Sequence, residues 1–155
     1  MPKLDQLMNK NQTVLVFEAD EVMDSFHIVG DFDKKALPLG FTEMQSFLKG
    51  RRAPKHRAHI ARLLTLCQCD TLCGYLDVTR ALSLNDTFWC KPANSDLTWK
   101  DVSLYENPFN SVIARLAFEG GLYGELMSTT SPEFGTDGSF AKCWIRKDSG
   151  ILLLK

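Results

Sequence analysis

Two stretches near the front of the chain, residues 13–18 (TVLVFE) and 22–29 (VMDSFHIV), are rich in β-branched and aromatic residues and are parted only by Ala19-Asp20-Glu21. Such segments suit a pleated, half-buried surface, so they predict a strand pair with a tight connection. No helical pattern falls between them. The helical periods come later, followed by a second strand pair at the chain's end, and that order predicts an α+β fold rather than alternating strands and helices around a parallel sheet.

After a turn-rich segment at 30–40, Thr42 is placed to cap a short helix carrying Met44, Phe47 and Leu48 and ending at Gly50. Pro54 suits the first turn of a longer helix, where its missing N–H has no partner to lose. There Ile60, Leu63, Leu64 and Cys67 recur at helical spacing on one face, with Lys55, His56, Arg57, His59 and Arg62 mostly off it. A further helix is predicted from Asp70 through Asp77. Residues 83–103 follow neither period and read as an ordered loop pinned by Phe88, Trp89 and Trp99. Asn107-Pro108 is a helix start, with Phe109, Val112, Ile113, Leu116 and Ala117 as the buried stripe and Gly120-Gly121 as the stop. Residues 140–146 and 151–155 flank Lys147-Asp148-Ser149-Gly150, which predicts a β-hairpin.

Composition narrows the function classes. At 155 residues, 45% apolar and 24% charged, the chain is sized for one domain or two small subdomains and is too polar for a membrane span. A net charge of −1 means that a charge-driven partner must meet a local patch. The N-terminal MPKLDQLMNKNQ lacks the apolar core of a secretory signal, and five cysteines form an odd count, so a cytoplasmic protein with reduced thiols is expected.

Several groups of residues are candidates for chemistry. Gly135 and Gly138, in a loop with Ser131 and Thr136, would let backbone N–H groups approach a phosphate, or they form a plain turn; the spacing fits no standard phosphate-loop pattern. Lys49, Arg51, Arg52, Lys55, Arg57 and Arg62 lie in a run without acids, which reads either as a nucleic-acid phosphate contact or as a solvated face balanced by acids folded beside it. Cys67, Cys69 and Cys73, with His56 and His59 upstream, lack the paired spacing of structural zinc sites and read as small buried thiols. Trp89, Trp99 and Trp144 read either as a ligand platform or as core anchors whose indole N–H groups bond backbone carbonyls. Asp24, Asp31 and Asp33 read as exposed turn residues.

Four pieces of sequence taken in order carry a resemblance: LSLNDTFWCKP at 82–92, LTWKDV at 97–102, ENPF at 106–109, and the run from Ser131-Pro132 through Thr136-Asp137-Gly138 to KCWI at 142–145 and LLK at 153–155. Together they resemble the front part of HipA-like proteins, in the version common in Gram-positive bacteria and their mobile elements, over roughly residues 13–155. The resemblance implies a two-lobed serine/threonine kinase of the toxin-antitoxin type, with residues 1–82 a strand and helix subdomain and 83–155 a partial kinase-like N-lobe. On that mapping Ser131, Gly135, Thr136 and Gly138 belong to the phosphate-covering loop and Lys155 matches the strand lysine. ATP and Mg²⁺ would bind only when a second lobe completes the site, because the catalytic-loop and metal-binding residues of such kinases are absent from this chain. The expectation is a module without catalytic residues that binds a protein partner: the remainder of a split kinase, or a kinase or defence protein that it restrains. The alternative is a phage or mobile-element regulator that meets nucleic acid through residues 49–62.

Overall fold

Four strands make the central sheet, in the order β3-β2-β1-β4, and every neighbouring pair is antiparallel. The computed structural model describes residues 1–52, 60–109, 114–115, 143–148 and 150–154. In chain order the elements are β1 (Lys3–Asn9), β2 (Gln12–Asp20), β3 (Ser25–Val29), a 3₁₀ turn (Lys34–Ala36), α1 (Met44–Arg51), α2 (Ile60–Leu66), α3 (Leu72–Thr79), β4 (Phe88–Pro92), α4 (Trp99–Val102), β5 (Cys143–Lys147) and β6 (Gly150–Leu154). The α+β expectation holds, and the C-terminal hairpin is present as β5 paired with β6.

Register sorts the strand residues onto two faces. Asp5 lies opposite Phe17 and Pro92, and Leu7 opposite Leu15 and Cys90, so with a side-chain period of two these residues share one face with Ala19, Phe26 and Ile28. That face packs on Met44 and Leu48 of α1, Leu63 and Leu64 of α2, and Leu72, Tyr75 and Leu76 of α3. Burying a side chain such as Leu7 or Phe17, both without exposed surface, contributes about 1.5–3 kcal/mol. On the opposite face Met8 and Trp89 form a smaller core with Leu82, Val102 and Leu104. Trp89 is fully buried and donates its indole N–H to the Lys10 carbonyl at 2.7 Å, the anchoring role expected of it.

Several expectations are corrected. The polar-looking N-terminus is a strand: β1 is flanked on both sides by partners, and pairing outweighs its modest β-propensity. Residues 88–92 are not loop but the edge strand β4, which tolerates Pro92 at its end because no further strand needs that N–H. Residues 99–102 are a short helix closed by a capping box between Thr98 and Asp101. Helix α1 starts after Glu43 rather than Thr42 and runs through Gly50 to Arg51. Helix α3 begins at Leu72, capped by Thr71. The division expected after residue 82 cuts through the sheet, since β4 pairs with β1 from Asp5 to Asn9. Of the helix expected from 107, Ala114 and Arg115 are helical; 110–113 and 116–118 lie outside the described residues, as do 53–59 of the helix expected from Pro54.

Candidate functional site

The residues expected to face a nucleotide, Ser131, Gly135, Thr136, Gly138 and Lys155, lie outside the described residues. Arg146 of the adjoining hairpin reaches back to residues 104–109. Arg146 donates to the carbonyls of Tyr105 at 2.8 Å, Leu104 at 2.6 Å and Asn107 at 3.1 Å, and its guanidinium lies over the Phe109 ring at 4.8 Å.

The basic run is split by the fold. Lys49 and Arg62 are exposed, and Lys55 and Arg57 lie outside the described residues. Arg51 is buried: it donates to both carboxylate oxygens of Asp86 and to the carbonyls of Ala81 and Phe88. A guanidinium so committed cannot reach a phosphate, so Arg51 is corrected from a nucleic-acid candidate to a framework residue. Arg52 donates to the Asp70 carbonyl at 2.6 Å, which ties the end of α1 to the start of α3.

Cys69 and Cys73 are buried thiols, and burial pushes both up to about 12, the reverse of what metal ligation or nucleophilic chemistry asks of a thiol. Among the described residues no three His, Cys, Asp or Glu side chains converge as a metal site. Asp24 is more than a turn residue. Its carboxylate accepts the Leu72 N–H at 3.0 Å and the Cys73 N–H at 2.8 Å, so the β2–β3 turn caps α3 from outside. Burial alone would raise its pKa, but these bonds hold the carboxyl below the usual range.

The fold also builds a site that the sequence did not announce. Lys3, Asp5, Leu76, Asp77, Arg80, Cys90, Lys91 and Pro92 line a cavity of about 220 Å³ where the end of α3 meets β1 and β4. Strand alternation turns Asp5 toward the helix layer beside Leu7. Arg80 closes α3 in the left-handed conformation, φ 53°, donates its N–H to Leu76 and accepts the Cys90 N–H at 2.7 Å, which fixes the helix end against β4. Lys3 and Asp77 form an ion pair across the cavity.

Asp5 is 3% exposed, and its Oδ2 has no hydrogen-bond partner. Burial pushes its carboxyl up to about 6, with Lys3 and Arg80 pulling down and Asp77 pushing up. Such a carboxyl is ionised at neutral pH and takes a proton in mild acid. An acid inside a short polar segment looks like surface in sequence. The one available signal was the Lys3, Asp5, Leu7 alternation, and it becomes readable only once β1 is known to be a strand.

No protein-family model, curated protein or solved structure matches the chain. No helix among the described residues is long and apolar enough to cross a membrane.

Proposed function

We propose that this chain is a cytoplasmic HipA-like N-terminal module that acts by binding a protein partner, either the remainder of a split kinase or a kinase or defence protein it restrains. The observation that carries the reading is the C-terminal hairpin. It is apolar on both faces: Trp144 pairs with Leu153 on one, and Ile145 with Leu152 and Cys143 with Leu154 on the other. Leu152 and Leu154 remain 41% and 40% exposed. Two strands alone are marginal in water, and an exposed apolar strand face is a natural docking surface.

The motif that carries the resemblance supports a framework role for its own segment. Asp86 pairs with Arg51, Ser83 Oγ accepts the Asn85 N–H, Trp89 fills the second core, and Lys91 donates to the carbonyls of Ser95 and Leu97. These side chains are engaged internally, whereas Leu152 and Leu154 of the hairpin are exposed. The test is co-expression with the catalytic lobe of a HipA-like kinase and, separately, with a full-length one. A stoichiometric complex that survives purification and is lost in Leu152→Asp/Leu154→Asp supports the reading. No complex with either protein, or one indifferent to the double substitution, counts against it.

A further inference from the structure

The α3–β1–β4 cavity holds two charged groups that the protein leaves without partners. Asp5 presents a buried carboxylate oxygen with no hydrogen bond, and Arg80 has no side-chain hydrogen bond or ion pair among the described residues. The two do not pair with each other, while Lys3 and Asp77, on the same wall, neutralise one another. Lys91 also lines the cavity, but its ammonium is engaged by the carbonyls of Ser95 and Leu97. What remains is one unmatched acceptor and one unmatched donor fork, beside the apolar surfaces of Leu76, Cys90 and Pro92.

Leaving a polar group buried and unpaired is destabilising, and a hydrophobic side chain at position 5 would avoid it. The arrangement suits an occupant that supplies a donor to Asp5 and an acceptor to Arg80 at once. A metal ion is disfavoured by the three lining cations, Lys3, Arg80 and Lys91, and by Asp77 being taken up with Lys3. A phosphate is disfavoured by the Asp5 carboxylate, which would repel it at the buried end. The cavity, about 220 Å³, is smaller than the ~300–1,000 Å³ of pockets for drug-sized ligands, which suits a ligand of amino-acid size.

We propose that this cleft binds a small zwitterion of the α-amino-acid class, its ammonium donating to the Asp5 carboxylate, its carboxylate accepting from Arg80, and its side chain resting on Leu76, Cys90 and Pro92. This proposal is independent of the partner reading.

The experiment is thermal-shift screening of the full chain against each of the twenty L-amino acids, followed by titration calorimetry of the best binder. Its C-terminal amide, which lacks the carboxylate, and its N-acetyl form, which lacks the ammonium, are titrated alongside. Saturable binding is expected, with each blocked analogue weaker by about tenfold or more, the loss that one charge-assisted hydrogen bond implies. Asp5→Asn and Arg80→Asn should each weaken binding similarly; asparagine tolerates the left-handed backbone at position 80. The analogue pair on the wild-type chain decides the matter even where a variant folds poorly. The proposal is overturned by the absence of amino-acid binding at millimolar concentration. It is equally overturned by binding that either blocked analogue reproduces, or by undiminished binding to folded Asp5→Asn and Arg80→Asn chains.

Discussion

Arg51 and Asp86 form a two-pronged ion pair, Nη1 to Oδ2 at 2.7 Å and Nη2 to Oδ1 at 3.0 Å, across 35 residues of sequence. Asp86 also accepts the Phe88 N–H, and Arg51 bonds the Phe88 and Ala81 carbonyls, so one pair joins the end of α1 to the entry of β4. Arg51→Ala removes the guanidinium from a partly exposed Asp86 carboxylate, which keeps the Phe88 N–H, and from two carbonyls, and should cost about 1–3 kcal/mol. Arg51→Lys should recover only part of this, because an ammonium cannot match the fork. Urea unfolding measures both; a loss under about 1 kcal/mol for the alanine variant would contradict the assigned role.

Asp5 predicts an acid-side effect of definite sign. Its folded pKa of about 6 lies above the ordinary aspartate value of 3.8. The unfolded chain therefore gives up this proton first, and the native state loses stability as pH rises from about 4 to about 6, with the loss complete above that window. Asp5→Asn lacks the titration. The melting temperature of Asp5→Asn minus that of wild type should increase as pH rises through the window. A pH-independent difference would show that Asp5 is not titrating there.

Gly74 sits one turn into α3, where a Cβ would press into the Gln68 carbonyl oxygen and come within 3.0 Å of Thr71 Oγ1. An alanine inside a helix is normally favoured over glycine by about 0.5–1 kcal/mol. Here the sign should reverse, with Gly74→Ala destabilising by about 1–3 kcal/mol through overpacking against backbone. Thermal or chemical unfolding reads this directly, and a stabilised variant would refute the close approach.

Arg146 is the strap between the hairpin and residues 104–109. Removing it in Arg146→Ala should leave the main sheet intact while hairpin amides exchange faster, by about tenfold or more for the loss of charge-assisted bonds. Hydrogen exchange resolved by residue tests this, with the amides of β1 and β2 as the internal reference. Equal protection of β5 and β6 in variant and wild type would show that other contacts hold the hairpin.

What the sequence alone determined was local. The strand residues at 13–18 and, within the expected 22–29, those at 25–29 follow from side-chain periods that act over a few neighbours, as do the buried Leu63 and Leu64 of α2 and the pairing of the C-terminal hairpin; residues 22–24 are turn rather than strand. What tertiary structure decided was long-range. β4 is a strand because it pairs with β1, which is itself held between β2 and β4, at a separation reflected in the Trp89 to Lys10 bond across 79 residues. The same holds for side chains whose partners lie far along the chain: Arg51 turned inward by Asp86, Asp24 turned into a cap for α3 by Leu72 and Cys73, and Asp5 brought to a cavity with Arg80. A charged residue has the same local pattern whether it ends in water or against a partner, and only the approach of distant segments fixes its environment.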